Sequence, residues 1–186
     1  PFSFREFSEV TGKTDDAALS EYMKVGGLPY SVLMEGKEEK LSAYLEGIYT
    51  TVIVKDIEER QSRKELDQKK RKVSDIVLLK NIASYMASVA GSPISTKRVT
   101  DYLISSGRKV SANTVDDYMD ALCEACVFYR VNRFDIVGKE LLKTNAKFYI
   151  VDLGRRNHIL PRSSYDLGFS LENIIYFELI RRGYNV

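Results

Sequence analysis

The apolar positions of this chain recur at helical spacing along most of its length and turn to strict alternation in two short stretches. After the polar Thr14-Asp15-Asp16, Leu19, Tyr22 and Met23 form one helix face that stops at the turn Gly26-Gly27-Leu28-Pro29. From about Glu38, the stripe Leu41, Leu45, Ile48 and Val52 predicts a longer helix. Thr50 to Val54 is β-branched throughout and favours strand locally, but the surrounding period is helical. Beyond Ser74, Ile76, Leu79, Ile82, Ala83 and Met86 face one way on a helix that ends near Gly91-Ser92-Pro93. Ser95 or Thr96 can cap a short helix that packs through Val99, Tyr102 and Leu103 and ends at Gly107. Ser111 caps a third, whose inward face is Val115, Tyr118, Met119, Leu122 and Cys126. Val127, Tyr129 and Val131 then alternate as a strand, and Lys147 to Val151 can pair back across a loop containing Gly138 and Asn145. An apolar helix over Leu171 to Arg182 closes the pattern.

Three helices followed by a β-hairpin is the winged-helix layout. The expected fold is therefore α+β and mostly α-helical: an N-terminal helical segment, a winged helix-turn-helix and a C-terminal helix. The divisions fall at 1–72, 73–154 and 155–186. Residues Arg60 to Lys72 hold seven basic side chains against Glu65 and Asp67, a local balance of +5; such a run can contact phosphates, but a solvated helix face or linker is the commoner reading, and a boundary between sub-domains is placed here.

Composition narrows the chemistry. The 28 basic and 26 acidic residues leave a net charge of only +2, so bulk charge names no partner. A single histidine rules out an HExxH zinc site, and two cysteines cannot build a disulfide framework. No apolar run approaches the roughly 20 residues that span a bilayer, so the expectation is a cytoplasmic protein with no membrane partner. The chain opens at Pro1 and closes on Tyr184-Asn185-Val186, which reads as the start of an element, so a piece of a longer protein is expected.

A winged helix suggests DNA, with the third helix in the major groove. Here that helix is the wrong sign. Its outward stripe is Asn113, Asp117, Asp120 and Glu124, with Asp116 beside it and no lysine or arginine between Ser111 and Cys126. Phosphate contacts dominate duplex affinity, so groove reading is disfavoured. Lys97, Arg98, Arg108 and Lys109 at helix ends, with Arg130, Arg133, Lys139, Lys143 and Lys147 on the hairpin, leave a backbone-contacting mode as the alternative. Cys123-Glu124-Ala125-Cys126 lacks a second CxxC and reads as a buried or boundary helix face. His158 near Ser163 and Ser164 reads as a solvated loop, since no nucleophile elbow surrounds either serine. No GxxxxGK[ST] loop occurs, so no cofactor is expected to bind here. Glu178, flanked by apolar residues, is the one weak catalytic candidate, and it makes no two-metal site alone.

Several spaced segments together resemble the uncharacterised prokaryotic AAA-type ATPases that carry an accessory region called DUF4143. They are Pro1-Phe2-Ser3-Phe4-Arg5-Glu6-Phe7, Tyr22 with Gly26-Gly27-Leu28-Pro29, and Lys55-Asp56-Ile57, followed by Lys147 through Gly154, and Leu171-Glu172-Asn173 through Tyr184. The resemblance implies a non-catalytic accessory or interaction region of an ATPase whose phosphate-loop module, with its ATP and Mg2+, lies outside this chain. Its partner would be that module or another protein, with DNA as the alternative. It also implies that Glu178 matches an acidic residue of a PD-(D/E)xK nuclease core whose remaining acids lie beyond Val186.

Overall fold

In a computed structural model the protein is α+β and mostly helical. The structure describes residues 1–34, 37–50, 55, 57, 59, 73, 75–135, 140–160 and 167–186. The basic run Arg60 to Lys72, Val52, Gly138, Lys139, Ser163 and Ser164 lie outside the described residues, as does Asp56 of the Lys55-Asp56-Ile57 segment. The chain forms two compact units, one made of Pro1–Tyr49 with Ile150–Val186, the other of Thr50–Tyr149.

The first unit joins the two ends of the chain. Helices α1 (Phe4–Thr11), α2 (Asp16–Val25), α3 (Pro29–Val32) and α4 (Glu38–Gly47) come from one end, and α8 (Leu153–Ile159) and α9 (Leu167–Arg181) from the other. Helix α1 starts at a capping box: Ser3 accepts the Glu6 N–H while Glu6 takes the Ser3 N–H at 2.7 Å. Asp15 caps α2 through the Ala18 N–H. Phe7, Ala18, Tyr22, Val25 and Val32 form the core, with the Phe7 ring meeting Tyr22 edge-on at 5.3 Å.

Polar contacts aimed at backbone bring the two ends together. Asp152 is buried; its carboxylate accepts the N–H of Gly27 at 2.7 Å and of Arg155 at 3.0 Å, which also caps α8. Asn157 donates to the carbonyls of Met23 and Lys24, both at 2.9 Å. Within the C-terminal segment itself, Asn173 is buried and bonds both the N–H and the carbonyl of Ile150, at 3.0 and 2.9 Å. Close approach at this junction demands glycine, because a methyl group on Gly154 would collide with the Val25 carbonyl. The segment around His158, expected as a loop, is thus helical. Its polar run Arg155-Arg156-Asn157 carries no apolar stripe, but Asp152 nucleates the turn and Asn157 spends its amide on α2.

In the second unit, α5 (Ile76–Ser88), α6 (Thr96–Ser105) and α7 (Ala112–Glu124) lead into β1 (Phe128–Asp135) and β2 (Glu140–Ile150), a two-stranded sheet. Caps Asp75, Ser95 and Ser111 each accept a backbone N–H three residues on. Leu79, Ile82, Met86, Val99, Leu103 and Leu122 fill the core. Ile94 forms an antiparallel bridge to Ala146. Two expectations are corrected here. Asn145 is not in the hairpin loop but within β2, at φ 59, a conformation its short polar side chain tolerates. Cys126 does not face the core: α7 ends at Glu124, and Cys126 turns outward at φ 55 to reverse the chain into β1.

Candidate functional site

The outward surface of α7 follows from its inward one. Val115, Tyr118, Met119 and Leu122 are buried, which turns Asn113 and Glu124 fully outward and leaves Asp116, Asp117 and Asp120 half-buried. Two of these acids are engaged within the unit. Asp116 accepts the Thr96 hydroxyl at 2.8 Å, and Asp120 lies 3.4 Å from the Arg130 guanidinium. The same guanidinium sits 5.8 Å from the centre of the Phe148 ring. Asp120 therefore has its cation supplied by β1.

The basic candidates divide accordingly. Lys97, Arg98 and Lys109 are exposed. Arg108 is bound to Asp75 at 2.6 Å, and Asp75 also caps α5; the Leu78 N–H and Arg108 together hold its carboxyl below the usual range. Lys147 is half-buried on β2 and already interacts with a neighbour. Arg133 lies on β1 and Lys143 on β2, and the structure describes only their backbone. The structure brings Arg130 to the acidic helix and leaves Lys97, Arg98 and Lys109 at helix ends.

The other sequence candidates lie apart from this surface. Cys123 is half-buried and Cys126 exposed, both as free thiols; burial, reinforced by Asp120, pushes the Cys123 thiol up to about 12. His158 Nε2 meets Glu46 Oε2 at 2.8 Å, linking α8 to α4. Glu178, on α9, is half-buried: its side chain is 36% exposed and takes the Arg182 guanidinium one helical turn on, at 2.8 Å. Among the described residues no cluster of three or more histidine, cysteine or carboxylate side chains could hold a metal ion. No described helix is long and apolar enough to cross a membrane. Sequence reasoning missed Asp75, Asp152 and Asn173. The cap spacing of Asp75 and of Asp152 ahead of their helices was the available signal for two of them; nothing local marks Asn173.

These features define an α+β protein built mainly of capped helices, with a helical unit closed by a hairpin. The chain belongs to the family described as Domain of unknown function (DUF8612), which matches residues 16–166. It is similar to an uncharacterised protein of Haemophilus influenzae, 35% identical over 191 residues that cover 100% of this chain and 45% of that protein. It is also similar to the uncharacterised protein MJ1544 of Methanocaldococcus jannaschii, 30% identical over 169 residues, 89% of this chain and 34% of that protein. The chain thus spans less than half the length of these relatives. No solved structure matches it.

The family assignment corrects the resemblance to the DUF4143 ATPases, and with it the reading as an accessory region of an AAA-type ATPase. The ATP and Mg2+ of that reading, and the nuclease role of Glu178, rest on the same resemblance. Its landmarks are short, and the structure accounts for them locally. Ser3 to Glu6 is a capping box, and Gly26-Gly27 and Asp152-Leu153-Gly154 are two sides of one close-packed junction. Such signals recur wherever helices start and backbones touch, so their order along a chain is weaker testimony than a match across most of its length.

Proposed function

We propose that the unit Thr50–Tyr149 is a winged helix that engages a protein partner through α7 rather than reading duplex DNA. The layout supports the fold reading: three helices precede the hairpin, and the bridge between Ile94 and Ala146 supplies the short third strand that joins the helices to the wing. The observation that carries the function is the charge on α7. Its outer surface carries Asp117 and Glu124 with no cation anywhere along the helix, and Arg130 of the hairpin is held by Asp120. A partner surface rich in lysine and arginine complements that face, whereas a polyphosphate is repelled. The two free cysteines suit a reducing compartment, and we assign the protein to the cytoplasm.

A salt titration of duplex binding tests this reading. Weak binding with a shallow slope of log affinity against log salt is expected. Tight binding with a steep slope, reduced by Lys97→Gln, Arg98→Gln or Lys109→Gln, would overturn it and establish the backbone-contacting mode instead.

A further inference from the structure

Both cysteines of the chain sit where α7 gives way to β1. Cys123 lies in the last turn of the helix, and Cys126, three residues on, donates its backbone N–H to the Cys123 carbonyl at 3.0 Å. That bond closes a four-residue turn and keeps the two Cα atoms within about 7 Å, the limit beyond which a disulfide cannot bridge. The Cys126 Sγ folds back towards the helix end, 3.9 Å from the Glu124 carbonyl oxygen. Cys126 is exposed, Cys123 is half-buried, and both are free thiols. Cysteine is also an uncommon choice for a left-handed residue after a helix, where a β-carbon crowds the carbonyl and glycine is the usual occupant. This chain places Gly12, Gly107 and Gly183 in that role after α1, α6 and α9, but after α7 the position holds a thiol, at φ 55. Val127 fixes the turn from its far side by donating to the Leu122 carbonyl at 3.0 Å.

We propose that Cys123 and Cys126 form a reversible thiol–disulfide exchange site that takes low-molecular-weight disulfides. Cys126, the accessible thiol, attacks first as its thiolate: it bonds to one sulfur of the small disulfide, and the other half leaves as a thiolate that takes up a proton. Cys123 then gives its proton to solvent and attacks the Cys126 sulfur, closing the ring and expelling the second small thiol. The protein dithiol is thereby oxidised by two electrons while the small disulfide is reduced to two thiols. Burial and the Asp120 carboxylate push the Cys123 thiol up to about 12, so closure is the slower step. Excess small thiol reopens the ring, since exposed or strained disulfides are the labile ones.

Intact-mass spectrometry tests the site, on the whole chain incubated with oxidised glutathione under native conditions and quenched with acid. The chain has two cysteines, so each product has one assignment. A transient adduct of one glutathione is expected, giving way to a monomer short of two hydrogens and free of adduct. Excess reduced glutathione should restore the starting mass. Cys123→Ser should stop at the adduct, with proteolytic mapping placing it on Cys126. A wild-type product that stays glutathionylated, becomes a disulfide-linked dimer or shows no change overturns the proposal, as does a ring that excess reduced glutathione leaves closed. The wild-type reaction needs no variant to fold, and its outcome is independent of whether the same unit binds duplex DNA.

Discussion

The two units hold themselves together by different means. Thr50–Tyr149 is one continuous stretch whose described core is mostly aliphatic and aromatic, with Thr100 buried in it and other polar groups in caps and in surface pairs such as Arg108 with Asp75. The other unit draws on segments more than 100 residues apart and fastens them with Asp152 and Asn157, while Asn173 ties α9 to Ile150 within one segment, each bonding main chain rather than another side chain. Apolar burial tolerates small shifts in position, but an amide or carboxylate aimed at a backbone group works only at one separation. The first construction should therefore fail by cavity, the second by misfit.

That contrast can be broken by substitution. The largest effect is expected from Leu122→Ala, which empties a fully buried position on α7 and should cost about 4 kcal/mol. Amide hydrogen exchange should locate the loss in α5, α6 and α7; uniform loss across both units would erase the distinction. Next comes Gly154→Ala, a change that adds one methyl group and removes nothing. Its collision with the Val25 carbonyl should cost about 3 kcal/mol, with protection lost in α2 and α8. A stability within experimental error of the wild type would show that the junction has slack.

The smallest effect concerns pH. Burial raises the Asp152 carboxyl above its ordinary value of 3.8, against the hydrogen bonds from Gly27 and Arg155 that lower it. Since the folded form then binds the proton more tightly than the unfolded chain, this group's contribution falls as pH rises from about that value through the raised one. Asp152→Asn should flatten the fall while costing about 1 kcal/mol at neutral pH, because the amide has one oxygen for two N–H groups. Urea unfolding of both proteins across acid to neutral pH measures it, and parallel curves would refute the assignment to Asp152.

The same contrast explains what could be read from the sequence. Helices α2, α5, α6 and α7 announce themselves through caps and apolar spacing within a dozen residues of each other. The helix containing His158 shows only its Asp152 cap and no apolar stripe, because the same carboxylate is also fixed by a distant loop at Gly26-Gly27. The acidity of α7 was equally legible, since charges on one helix are local. Its pairing with Arg130 and the bond between Arg108 and Asp75 were not, being contacts across 10 and 33 residues.

Asn173 has one further consequence. Within an extended strand the N–H and the carbonyl of a residue point the same way, and both are what a newcomer would need to dock alongside. By occupying the pair at Ile150, the side-chain amide stands in for one rung of a neighbouring strand and leaves that rung closed to templated stacking. A single residue on a helix thus closes both backbone groups of Ile150.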